Sequence, residues 1–161
     1  MVRSAGAILF ELDDGVLKVL IAHMGGPFWA KKDERAWSIP KGEYDDGEDP
    51  QAAAAREFSE EMGSPLPAGE LVELGTITQS GGKRITAYAL ESGFDPAGVR
   101  SNLFEMEWPR GSGTLRSFPE VDRAEWFDCA TTRAKLVSGQ VVFLDRLLEH
   151  VRGQGRTVRE A

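Results

Sequence analysis

The stretch GEYDDGEDPQAAAAREFSEEMGS, from Gly42 to Ser64, limits what this chain can fold into more than any other. It reads as a glycine-bearing loop running into a helix with signals at both ends. Asp49 is a good N-cap, and Pro50 suits the first helical position, where no amide proton is needed. Ala52 to Ala55 favour helix. Gly63 is the expected left-handed terminator, with Pro65 just beyond it. Ala55, Phe58 and Met62 fall at i, i+3 and i+7 and predict one apolar face. Glu57, Glu60 and Glu61 fall at i, i+3 and i+4 and converge on a different face.

That acidic face is costly. Glu57 and Glu61 repel by roughly 0.2–0.5 kcal/mol as a like-charge pair one turn apart. Glu60 and Glu61 also sit at the negative end of the helix dipole, each unfavourable by about 0.3–1 kcal/mol. A solvated acidic face is one reading. A divalent cation gives the other, because hard cations take oxygen ligands, often one or two carboxylates plus water and substrate phosphate. The loop from Gly42 to Gly47 can bring backbone carbonyls to the same ion. Arg56 lies one turn before Glu60 and can pair with it.

Gly42, five residues, Glu48, seven residues, Arg56-Glu57-Phe58, one residue, Glu60-Glu61, one residue and Gly63 resemble the box of the Nudix family. Every glycine and charged position is filled. The usual aliphatic residue at the end is replaced by Ser64, a packing position. The resemblance implies an α+β Nudix fold, with a mixed β-sheet sandwiched between α-helices (α/β/α). It implies hydrolysis of a nucleoside diphosphate linked to another group, by water attack on phosphorus, with Mg²⁺ as cofactor and Mn²⁺ able to substitute. The metal ligands it implies are Glu57 and Glu61, with Glu60 beside them and the Gly42 carbonyl as a further donor. Arg56 then orients carboxylates, and Glu48 is its partner or a water-mediated metal contact. The general base is a box glutamate, Glu60 among them, or Glu120, which stands where relatives often carry a loop glutamate. A turn residue is the competing reading of Glu120. Glu105 and Glu107 alternate on one side of a strand and face either the site or solvent.

The rest of the chain is consistent with this. Its 161 residues suit a single domain over residues 1–153, with 154–161 as a polar tail expected to fray. The net charge of −7 argues against an extended nucleic-acid surface, though not against a small polyphosphate held on cations. No apolar run is long enough for a membrane span, so no membrane partner is expected. The single cysteine, Cys129, and an N-terminus without a signal-peptide pattern point to the cytoplasm. Residues 4–23 predict two strands around Asp13-Asp14-Gly15, and residues 70–92 predict a hairpin around Gly81-Gly82. NLFEMEWP and RAEWFD predict strands, RGSGTLRSFPEVD a loop, and QVVFLDRLLEHV an amphipathic closing helix.

Substrate signals are thinner. Lys41, in WSIPKGE, resembles the dinucleoside polyphosphate and diphosphoinositol polyphosphate branches and is a phosphate contact or a surface lysine. The markers those branches and the ADP-ribose enzymes carry past the box are missing, with Gln79, Ser80, Gly81 and Gly82 there instead. In GGPFWAKKDERAW, Phe28 and Trp29 suit base stacking, and Lys31, Lys32 and Arg35 suit distal phosphates; packing onto the sheet is the alternative. Tyr88 faces either the site or the core. Lys83 and Arg84 read as hairpin-tip charges, and His23 and His150 as structural. The expected partner is a small nucleotide or polyphosphate, and the protein a monomer or homodimer. Dinucleoside polyphosphates rank first, then nucleoside triphosphates, then nucleotide sugars. The alternative from another class is a Nudix-fold sensor that binds a nucleotide without turnover, and such domains usually lose box glutamates.

Overall fold

The computed structural model describes residues 2–79 and 81–160; Ser80 lies outside them. Strand β1 (Arg3–Asp13) turns at Asp14-Gly15 into β2 (Val16–Met24). Both turn residues have positive φ, 52° and 79°, as a two-residue hairpin requires. The two strands pair only from Phe10↔Val19 to Asp13↔Val16 and then part. Residues 37–43 fill the opening. Within them β3 (Trp37–Ser38) pairs with β2, and β4 (Lys41–Glu43) pairs with β1. Gly6 makes this approach possible, since a Cβ there meets Lys41 Cβ and the Pro40 carbonyl at 2.8 Å.

Helix α1 (Pro50–Met62) follows, then the hairpin of β5 (Val72–Thr78) and β6 (Arg84–Glu91). β6 runs parallel to β1, which makes the sheet mixed. β7 (Leu103–Glu107) and β8 (Leu115–Pro119) form a separate two-stranded ribbon. β9 (Val121–Asp128) returns to pair with β2, and α2 (Cys129–Lys135) and α3 (Val141–Gly153) close the chain. The large sheet has the order β3-β2-β1-β6-β5, with β4 on β1 and β9 on β2.

Both faces of β1 are buried, and its alternation feeds two cores. Ile8 and Phe10 join Phe143, Leu144 and Leu147 of α3, while Ala7 and Leu9 join Phe58 and Met62 of α1. The sheet is thus held between α1 and the C-terminal helices, the α/β/α arrangement expected. The α1 boundaries also stand as read. Asp49 accepts from the Ala52 amide at 3.0 Å, and Gly63 has φ 74°. Asp49→Ala is expected to cost about 1 kcal/mol, read by thermal or urea denaturation, because that amide loses its acceptor.

Two local expectations need correction, and one element went unread. Leu115–Pro119 is a strand, not loop; its residues are largely exposed and its pairing comes wholly from β7. Helix α2 went unpredicted because CATTRAK is short and lacks apolar periodicity; its cap, Asp128 accepting from Thr131 N at 2.8 Å, supplies the start signal. The tail is docked instead of frayed. Leu17 N donates to Arg159 O at 3.0 Å, Arg159 N to Gly15 O at 2.7 Å and Cys129 N to Glu160 O at 3.0 Å, and Val158 is buried.

Candidate active site

The opening between β1 and β2 sets the site. It places Gly42 directly under α1, where a methyl group would overlap the Glu57 carboxylate. Glu57 is only 9% exposed and shares the buried side of α1 with Ala54 and Phe58, so the acidic residues do not occupy a separate solvent face. Ala55 is only partly buried, and Ala53 and Ala54 do the packing expected of it.

Arg56 is the hub of the charges. Its Nε and Nη2 donate to the two Glu48 oxygens at 2.9 and 3.0 Å. Its Nη1 donates to Glu57 Oε1 at 2.6 Å and reaches Glu60 at 3.3 Å. This bidentate contact holds the Glu48 carboxyl below its usual range. Glu57 shifts the other way, because burial outweighs its bond to Arg56 and Glu60 adds repulsion. Glu61 accepts from the Lys41 amide at 3.3 Å, yet desolvation pushes its carboxyl up to about 8. The charges of Glu120 and Glu57 also raise it, while Lys41 opposes.

Two cavities meet at Glu120. A polar one of about 410 Å³ is lined by Lys41, Gly42, Glu57, Glu60 and Glu61 together with Gln79, Lys83 and Asn102. An apolar one of about 530 Å³ is lined by Met24, Phe28, Trp29, Phe104 and Met106, with Gly25 and Gly26 at its floor. Glu120 lines both. It is fixed by its backbone, its N donating to Asn102 O and its O accepting from Gly25 N, each at 2.9 Å. Phe28 and Trp29 stand edge to face at 4.9 Å, with Lys32 Nζ 3.6 Å from the Phe28 centroid.

Several candidates lie elsewhere. Tyr88 is 3% exposed and packs under α1 with Ala5, Ala53 and Ala54, so it belongs to the core and not to a substrate wall. Arg35 turns away and donates to the Arg133 and Leu136 carbonyls at 2.6 and 3.2 Å, closing the end of α2. Lys31 is exposed and is not among the residues lining either cavity. Glu105 and Glu107 face outward, because the pleat of β7 turns Phe104 and Met106 into the apolar cavity. Conversely, Lys83, read as a tip charge, lines the polar cavity with Gln79 and Asn102. The parallel β6–β1 pairing, distant in sequence, carries that tip toward the site, so local sequence gave no signal.

The donor set fits a hard divalent cation. Glu57 is a buried carboxylate against a glycine that leaves room for nothing larger, and Glu61 is a second carboxylate short of charge compensation. Among the described residues, no three His, Cys, Asp or Glu side chains gather as a closed metal cage. Mg²⁺ needs none, since it commonly takes one or two carboxylates and completes its shell with water and substrate phosphate.

Comparison with known proteins agrees with the box. One 55-residue segment is 40% identical to the RNA pyrophosphohydrolase of Vibrio cholerae serotype O1, spanning 34% of this chain and 31% of that protein. The fold is similar to a C. elegans Ap4A hydrolase binary complex, with TM-score 0.64 and 17% identity over 93% of this chain and 98% of that one. It is also similar to the NUDIX domain of Shewanella oneidensis NrtR complexed with ADP ribose, with TM-score 0.62 and 18% identity over 92% of this chain and 87% of that one. A family model described as the NUDIX domain matches residues 1–147 of the 161, and the chain therefore belongs to the Nudix family.

Proposed function

We propose that this protein is a Mg²⁺-dependent pyrophosphohydrolase, with Mn²⁺ able to substitute. It cleaves a nucleoside diphosphate linked to a further group, dinucleoside polyphosphates first and nucleoside triphosphates second. The observation that carries this reading is Glu120, shared by an aromatic cavity and a carboxylate-lined one. A nucleobase suits the first and a metal-bound polyphosphate the second, where the P–O–P bond to be broken lies beside the carboxylates. Proteins named as an RNA pyrophosphohydrolase and an Ap4A hydrolase are among those it resembles, which supports the same class.

Glu57, Glu61 and the Gly42 carbonyl would hold the cation. A bound divalent cation neutralises polyphosphate charge and acidifies water. Arg56 keeps Glu57 and Glu60 aimed while remaining tied to Glu48. Lys41 and Lys83, which both line the polar cavity, meet phosphate oxygens. Phe28 and Trp29 hold the base. The proton of the attacking water passes to a carboxylate oxygen facing the polar cavity, that of Glu120 or of a box glutamate, and the leaving phosphate departs toward solvent. Positioning and electrostatics supply most of the rate.

Product analysis over nucleoside triphosphates, dinucleoside polyphosphates, nucleotide sugars and diphosphoinositol compounds tests this. The Glu57→Gln, Glu61→Gln double variant serves as blank. Turnover of a nucleotide substrate above that blank supports the proposal, and the product pair names the bond broken. Tight nucleotide binding without turnover under any metal favours a sensor instead.

The Glu61 shift adds a pH prediction. Its folded value of about 8 stands above the ordinary 4.5, so the metal-free protein loses stability as pH rises between those values. Mg²⁺ binding favours the ionised form. Its apparent affinity is therefore expected to rise with pH up to about 8, and calorimetry in buffers of different ionisation enthalpy should show proton release. An affinity flat across that range speaks against Glu61 as a ligand.

A further inference from the structure

His23, one residue before the end of β2, has no exposed surface, and both of its ring nitrogens meet acceptors. Nδ1 lies 2.8 Å from Asp122 Oδ1, and Nε2 lies 2.6 Å from the Lys32 carbonyl. A carbonyl cannot donate, and neither can an ionised carboxylate, so both bonds are made only when both nitrogens carry protons. The Arg123 guanidinium lies 3.5 Å from the same Asp122 oxygen. The other neighbours form a ring around this pair. Trp37 meets the imidazole edge-on at 5.1 Å, with Arg123 and Lys135 at 5.0 and 5.5 Å from its own ring. Asp33 accepts from Trp37 Nε1 at 2.9 Å and is paired with Lys135.

The three segments joined here are the walls of the apolar cavity. Met24, Gly25 and Gly26 follow His23 directly, Lys32 follows Phe28 and Trp29, and Asp122 is two residues past Glu120. Within the loop the backbone is held by turns such as Trp29 N to Gly26 O at 3.2 Å and Lys32 N to Trp29 O at 2.9 Å. Those bonds shape the loop without fixing its distance from β9.

We propose that His23 is a positioning residue whose ring, held at both nitrogens, clamps the Phe28-Trp29 loop to the strand after Glu120 and so sets the affinity of the cavity for a nucleobase. The clamp rests on geometry alone, and its effect on base binding rests on the cavity reading given under Proposed function. Removing the ring or either of its bonds frees the loop and widens the slot, while the carboxylates around Gly42 keep their places.

Three measurements on the full chain decide this. ¹⁵N NMR of the folded protein is expected to find both His23 ring nitrogens hydrogen-bonded; a ring nitrogen without a hydrogen bond overturns the proposal. Amide exchange of residues 26–34 is expected to accelerate by about tenfold in His23→Asn and in Asp122→Asn, with β1 and α1 unchanged. Unchanged loop exchange in both overturns it. Asp122→Asn keeps an oxygen acceptor and removes only the charge, so it answers the question even where His23→Asn does not fold. By calorimetry, either variant is expected to weaken ADP by about tenfold and leave pyrophosphate, which lacks a base, unaffected. Equal loss of both ligands overturns the base-slot role. Failure of ADP to bind the unmodified protein defeats the cavity reading, and the NMR and exchange results still judge the clamp.

Discussion

Glu57→Gln is expected to lower kcat on the order of 10³-fold while the fold survives. The amide is isosteric, so it fits against Gly42 where the carboxylate stands now. It cannot donate negative charge to a cation. Arg56 keeps its two bonds to Glu48, so the hub does not collapse with the substitution. Stability separates this effect from simple damage. Glu57 is ionised with difficulty because it is buried, so a neutral amide relieves a cost in the metal-free protein. The variant is therefore expected to melt at or above the parent without metal and to lose the gain that millimolar Mg²⁺ gives the parent. Turnover near the parent's, or an undiminished Mg²⁺ effect on Tm, would refute the ligand assignment.

Gly42→Ala is expected to cost about 10²-fold in kcat, the scale on which misplacing a reacting group by about 1 Å operates. The added methyl overlaps the Glu57 carboxylate, so carboxylate and backbone carbonyl cannot both stay where they are. The same loop provides its own control. A Cβ added at Gly47 meets nothing within 4 Å, so Gly47→Ala is expected to leave activity unchanged. Steady-state kinetics on the two variants, with circular dichroism to show folding, distinguishes crowding of the site from loss of loop flexibility. Similar losses in both would mean that flexibility matters and the close approach does not.

What could be read in the sequence was what local chemistry writes. Asp49, Pro50 and Gly63 fix α1 by capping, and the Asp14-Gly15 turn fixes the first hairpin by its backbone. Spacing along one helix placed Arg56, Glu57, Glu60 and Glu61 together. What could not be read depends on distant pairing. Lys83 reaches the polar cavity because β6 runs parallel to β1, a pairing far apart in sequence. Tyr88 and Arg35 fell the other way for the same reason. Nothing local to Tyr88 says that α1 covers it, and nothing local to Arg35 shows the two carbonyls of the α2 end that capture it. Glu105 and Glu107 were placed on one side of their strand, but the cavity that Phe104 and Met106 line is completed by Phe28, Trp29 and Glu120 from other segments, which nothing local to the strand shows.

The docked C-terminal stretch has a consequence for experiment. Cys129 is fully buried, and burial pushes its thiol up to about 11. Its amide is bonded to Glu160, so the stretch that covers β2 also covers the sulfur's neighbourhood. A neutral, enclosed thiol does not react with an alkylating reagent until its cover lifts. Because Cys129 is the sole cysteine of the chain, the labelling rate reports one opening event without any engineered probe. Its ratio to the rate in denaturant measures how firmly that latch is shut, independently of anything happening at the carboxylates.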